Sequence, residues 1–102
     1  MASVGDVLRE KACNFARFLE GVIGDQMNNE LREYVFTVKN LQAEQFAAWV
    51  LETCVPHAQN VDALIDGLAR QWKIDLSRVT ADDRCKFRRY ILFFITVVSG
   101  PS

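Results

Sequence analysis

The sequence predicts an all-α fold, a compact bundle of about five amphipathic helices joined by short loops. Apolar residues recur three or four positions apart in successive segments, which is the spacing of one helix face. The 102 residues include only five glycines and two prolines, which disfavours a turn-rich β fold. Candidate capping residues stand before several of the segments. The length indicates one domain, residues 1–102, with residues 99–102 a candidate linker or tail.

The first predicted helix runs from about Val4 to Ile23. Gly24 could supply the left-handed residue that ends this helix, and Asp25 is a candidate N-cap for the next one. The apolar stripe of the first segment consists of Val4, Val7, Leu8, Ala12, Phe15, Leu19, Val22 and Ile23.

The second predicted helix runs from roughly Gln26 to Lys39. Its β-branched run YVFTV is the one place where a strand competes with a helix. We predict a helix there because the flanking segments suit a helix and leave little room for a paired strand. Phe36 points away from the apolar stripe of this segment, so it either meets a partner or is exposed.

The third predicted helix runs from about Leu41 to Thr53, with Asn40 as its candidate cap. Pro56 disfavours helix at the residue before it, so the segment VPHAQN is predicted to be a loop. Asn60 then caps a fourth helix, from Val61 to about Trp72. The segment KIDLSRV that follows is predicted to be a loop or a single turn.

The last predicted helix lies between Thr80 and Gly100. Thr80 and Asp83 have the spacing of a capping box, with Asp in place of the usual Glu or Gln. From Tyr90 to Val98 the side chains are apolar or aromatic on every face, interrupted only by a threonine. A helix that is apolar all round must be buried all round. We therefore predict that the C-terminal helix is the most buried one, or that a second chain covers it.

The cysteines indicate a reducing compartment. They are Cys13, Cys54 and Cys85, an odd number that contains no CxxC pair, and this usage is typical of thiols that serve as small hydrophobic residues. The N-terminus lacks the apolar core of a signal peptide, and no apolar run approaches the ~20 residues of a membrane-spanning helix. We predict a cytoplasmic protein with no membrane contact.

No residue pattern predicts catalysis or metal binding. Cys54 and His57 are spaced like two zinc ligands, but a structural zinc site needs four, usually in two tight pairs. Cys85, near the start of a helix, is the best candidate for a reactive thiol, although Asp82 beside it disfavours the thiolate. Because partners for a nucleophile are missing, we predict that the protein is not an enzyme and has no cofactor.

The leading functional prediction is a protein–protein interaction module that associates with itself through the apolar surface of the C-terminal helix. The alternative is a small nucleic-acid-binding protein, because basic and aromatic residues interleave at the start of that helix. The candidate partner-binding residues are Trp49, Trp72, Tyr90, Phe93, Phe94 and Val97. Trp49 and Trp72 each continue an apolar stripe, which favours core packing over a role at an interface. The candidate nucleic-acid-binding residues are Arg84, Lys86, Arg88 and Arg89. Arg84 and Arg88 share one helix face, and Lys86 and Arg89 share another.

Overall fold

The structure, a computed structural model, describes residues 3–100, and within this range it contains five α-helices and no strand. The first helix, α1, packs against the second, third and fifth helices, and the fourth packs against the fifth. The predicted all-α bundle is therefore confirmed. The helices are α1 Val4–Ile23, α2 Asn29–Asn40, α3 Ala43–Trp49, α4 Val61–Gln71 and α5 Ala81–Ser99.

Side chains cap the helix starts as the sequence predicts in two cases. The Thr80 hydroxyl accepts a hydrogen bond from the Asp83 N–H at 3.1 Å, and Asn60 accepts one from Ala63 at the start of α4. Each cap satisfies a backbone donor that has no partner within its own helix. At the start of α1, a capping box between Ser3 and Asp6 does the same, although we did not predict it.

The junctions around α2 differ from the prediction. Gly24 has a right-handed φ of −52° and begins a 3₁₀ turn, Gly24–Gln26, so it is not a left-handed helix terminator. Because this turn occupies the position of the predicted cap Asp25, α2 begins later, and Asn28 caps it by accepting from the Leu31 N–H at 3.0 Å. Asn40 is the last residue of α2 and not a cap of α3.

The predicted third helix changes its winding halfway. It is α-helical only to Trp49, continues as a π-helical segment, Val50–Cys54, and ends in a 3₁₀ turn, Val55–His57. Pro56 accounts for this ending, because proline has no N–H to donate and its ring clashes with the carbonyl four residues earlier. In the π-helical segment the chain widens, and the Val55 N–H donates to the Val50 carbonyl five residues before it.

The hydrophobic core is centred on α1, so the prediction about the last helix needs correction. α1 contributes six buried residues, whereas α5 contributes four, all on one face: Phe87, Ile91, Phe94 and Ile95. Leu92 on α5 is 43% exposed, and Thr96 is exposed. A chain of about 100 residues leaves much of its surface in water, and here it does not enclose a helix on all sides.

The segment before α5 and the end of α5 follow the prediction. KIDLSRV contains one 3₁₀ turn, Leu76–Arg78, and it packs Ile74 into the core. At the other end, Gly100 has a φ of +72° and its N–H donates to the Thr96 carbonyl, so it stops the helix as expected. The last two residues of the predicted tail lie outside the described range. No helix within residues 3–100 is both long and apolar enough to cross a membrane.

Replacing Phe15 with alanine should lower the free energy of unfolding by about 3–5 kcal/mol, because a fully buried ring is removed and a cavity is left. The matched control is Phe36→Ala on α2, where the ring is 69% exposed and the change should stay within about 0.5 kcal/mol. Urea denaturation followed by circular dichroism measures both. Equal destabilisation of the two variants would contradict the placement of the core.

Candidate functional site

A groove between α1 and α5 combines aromatic and basic side chains. It has a volume of about 480 Å³, within the range of small-molecule sites. The two helices run antiparallel, and residues three, four or seven positions apart on each of them line one side of the groove. The lining of this basic–aromatic groove is Lys11, Phe18, Lys86, Arg89, Tyr90 and Phe93.

The floor of the groove is aromatic. The ring centroids of Phe18 and Tyr90 lie 5.4 Å apart, with an angle of 41° between the ring planes. Phe18 packs on the core residue Phe87, and Tyr90 packs on the core residue Phe15. Phe93 lies farther along α5, and the Lys11 Nζ stands 5.5 Å from its ring centroid, which is a cation–π distance. The three lining rings are only partly buried, so their remaining surface is available to a ligand.

The four basic residues of α5 separate into two pairs with different surroundings. Arg88 Nη2 lies 2.8 Å from Asp62 Oδ1, and Arg84 Nη2 lies 3.1 Å from Asp66 Oδ1. These ion pairs tie α5 to α4, and the hydrogen bond from Arg88 lowers the pKa of Asp62. Arg84 and Arg88 therefore already have carboxylate partners and do not form one basic surface with the other pair.

Lys86 and Arg89 face the groove instead. Neither residue, nor Lys11, has a carboxylate within ion-pair distance among residues 3–100. Within the same range the groove lining contains no acidic side chain. The groove thus brings together three positive charges without an internal counter-charge, which favours an anionic ligand.

A second surface feature is an apolar depression at the other end of the α1–α5 pair. Val4 is 68% exposed and Leu51 is 52% exposed, and among residues 3–100 Glu44 is the one charged residue that lines the depression. The beginning of α1 and the end of α5 meet here with α3 and the π-helical segment. The lining of this terminal apolar patch is Val4, Gly5, Leu8, Ala43, Glu44, Ala47, Leu51, Val97 and Val98.

The predicted partner-binding residues occupy four different environments. Trp72 is 2% exposed and Phe94 is fully buried, so both belong to the core and are removed from the candidate surface. Trp49 is half-buried and packs on Tyr34 and Phe46, and it lines neither surface feature. Tyr90 and Phe93 line the basic–aromatic groove, and Val97 lines the terminal apolar patch. Sequence periodicity favoured the core for Trp72, but it did not separate Phe94 from Tyr90, Phe93 and Val97.

The cysteines and the histidine do not form a reactive cluster. Cys54 is buried, which raises the pKa of its thiol from the ordinary 9.0 to about 12, whereas His57 is exposed. Cys13 and Cys85 are half-buried and unpaired. In the part of the chain that the structure describes, no three histidine, cysteine or acidic residues are grouped so that they could hold a metal ion.

Cys54 should react with a thiol reagent such as Ellman's reagent only when the protein unfolds, because burial keeps it both inaccessible and protonated. Between the ordinary thiol pKa of 9.0 and the raised pKa of about 12, the unfolded chain has lost the Cys54 proton and the folded chain still holds it. Cys54 therefore lowers the free energy of unfolding as the pH rises through that interval. Cys54→Ala is the control. It should remove the slow, urea-dependent labelling phase and leave the faster labelling of Cys13 and Cys85. Fast labelling of all the thiols in native buffer would contradict the burial.

Comparisons with protein-family models, with curated proteins and with solved structures found no match to this chain.

Proposed function

We propose that the protein is a non-enzymatic interaction module that associates with itself through the terminal apolar patch. The observation that carries this proposal is the exposure of Val4 and Leu51 beside Val97 and Val98 on one surface, where Glu44 is the one charged lining residue in the described part of the chain. Each large aliphatic side chain gains roughly 1.5–3 kcal/mol when it is fully buried. A partner that covers the patch therefore gains free energy from several neighbouring side chains at once.

A second copy of the chain is the occupant we favour. In a two-fold symmetric dimer the same surface meets itself, and such dimers are the commonest homo-oligomers. Two apolar patches that meet in this way cover each other's aliphatic side chains, and we place the exposed Glu44 at the rim of that contact. The depression has a volume of about 320 Å³, which offers room for aliphatic side chains of the partner.

The association should be weak and concentration-dependent. Stable interfaces bury about 800 Å² on each partner, and the patch can form only the apolar centre of such an interface.

The three unpaired cysteines suit a reducing, cytoplasmic location, and we include that location in the proposal.

Leu51→Glu should raise the dimer dissociation constant by about tenfold or more, because each interface then contains two unpaired carboxylates where it had two apolar side chains. Sedimentation velocity over a series of protein concentrations measures the change. The matched control is Phe36→Glu, which makes the same kind of substitution at a ring that is 69% exposed and lies on α2, outside the patch. A wild-type protein that stays monomeric at high micromolar concentration refutes self-association, and equal weakening by the two variants refutes the location of the interface.

A further inference from the structure

We propose that the basic–aromatic groove binds a nucleotide unit, with its planar base against the accessible surface of the partly buried rings and its phosphate between Lys86 and Arg89. The unit could belong to a free nucleotide or to a single-stranded nucleic acid, since both present the same base and phosphate. This proposal does not depend on the self-association proposed above, because the groove and the terminal apolar patch have no lining residue in common.

The charge of the groove argues for an anion. Lys11, Lys86 and Arg89 converge on it from two helices, and no acidic side chain lines it within residues 3–100. In contrast, Arg84 and Arg88 form ion pairs with Asp66 and Asp62. These two arginines lie on a different face of α5. The two pairs lie on the same helix and differ in whether α4 supplies a carboxylate, so an anion from outside is expected at the groove and not at the α4 side.

The aromatic floor argues that the anion carries a flat ring. Tyr90 and Phe93 occupy successive turns of α5, and Phe18 lies beside Tyr90 at a centroid distance of 5.4 Å. Partly buried rings that keep some accessible surface next to cations are an arrangement by which proteins hold single-stranded bases, because the base stacks on the rings and the cations follow the phosphates. A simple inorganic anion would use the cations and leave the rings exposed to water.

The positions of these groups fit one nucleotide unit better than an extended acidic peptide. The rings and the cations lie together in one space of about 480 Å³, and the Lys11 ammonium stands over the Phe93 ring at 5.5 Å. Arginine binds a phosphate through two parallel hydrogen bonds, which Arg89 can offer at the groove rim. A run of carboxylates would need cations spread along a longer path.

Binding is tested by fluorescence anisotropy with the full chain and a labelled single-stranded oligouridylate of roughly ten nucleotides. The Lys86→Ala, Arg89→Ala double variant should weaken binding by about tenfold or more. It should also reduce the slope of log affinity against log salt by roughly 1 for each phosphate that the variant no longer neutralises. Phe93→Leu should also weaken binding, because it removes a stacking ring and keeps an apolar side chain. Circular dichroism shows whether each variant is folded.

The matched control is the Arg32→Ala, Arg70→Ala double variant, which removes the same charge from exposed sites outside the groove. It should change the affinity less than about twofold. If unlabelled adenosine triphosphate at submillimolar concentration displaces the labelled strand, the ligand is a free nucleotide. If the unlabelled strand displaces it and adenosine triphosphate does not, the ligand is a nucleic acid. Absence of binding, equal weakening by the two double variants, or competition by polyglutamate as strong as that by the strand overturns the proposal.

Discussion

Burial of Phe15 between α1 and α5 is the interaction on which the rest of the structure depends. Its fully buried ring lies 5.4–5.5 Å from the rings of Phe87, Tyr90 and Phe94, so one aromatic cluster joins the two helices. Edge-to-face and tilted pairs of this kind add free energy beyond the area that they bury. This cluster holds α1 and α5 together as an antiparallel pair. It therefore also determines which side chains of the two helices stay at the surface along the edges of the pair.

The same helix α5 therefore has three different surroundings. One face enters the core, a second is held to α4 by Arg84 and Arg88, and a third presents Lys86 and Arg89 to solvent at the groove. Exposed ion pairs contribute little to stability, typically less than about 1 kcal/mol each. Their larger effect here is to neutralise one pair of arginines and leave the other cations concentrated on the opposite side.

The sequence predicted those parts of the fold that depend on local chemistry. Apolar spacing predicted all five helices, and capping side chains marked two of the starts, Asn60 and Thr80, because a cap acts within one turn of chain. The predicted role of Gly24 was wrong, since glycine allows a left-handed conformation without requiring it. The π-helical segment before Pro56 was also missed, because proline predicts that a helix ends but not how the preceding turn adjusts.

The candidate site was only partly predictable, because its properties arise from contacts between helices. Periodicity separated Arg84 and Arg88 from Lys86 and Arg89, but only the packing of α4 shows that two aspartates lie opposite the first pair. In the same way, Phe93 and Phe94 are adjacent and chemically identical, yet one lines the groove and the other is enclosed by the core. A single residue step turns a helical side chain by about 100°, so the position of the core decides between them.

The antiparallel α1–α5 pair also sets the distance between the two surfaces that we consider functional. The groove uses α5 from Lys86 to Phe93, and the patch uses Val97 and Val98, about one turn farther along the same helix. If two copies meet at the patch, the dimer presents two grooves related by the symmetry axis. A strand long enough to reach both would then gain effective concentration at the second groove, and its affinity would exceed that of one groove without any new contact. The proposed self-association and the proposed ligand binding thus use separate surfaces, and they would become linked only for a ligand with more than one nucleotide unit.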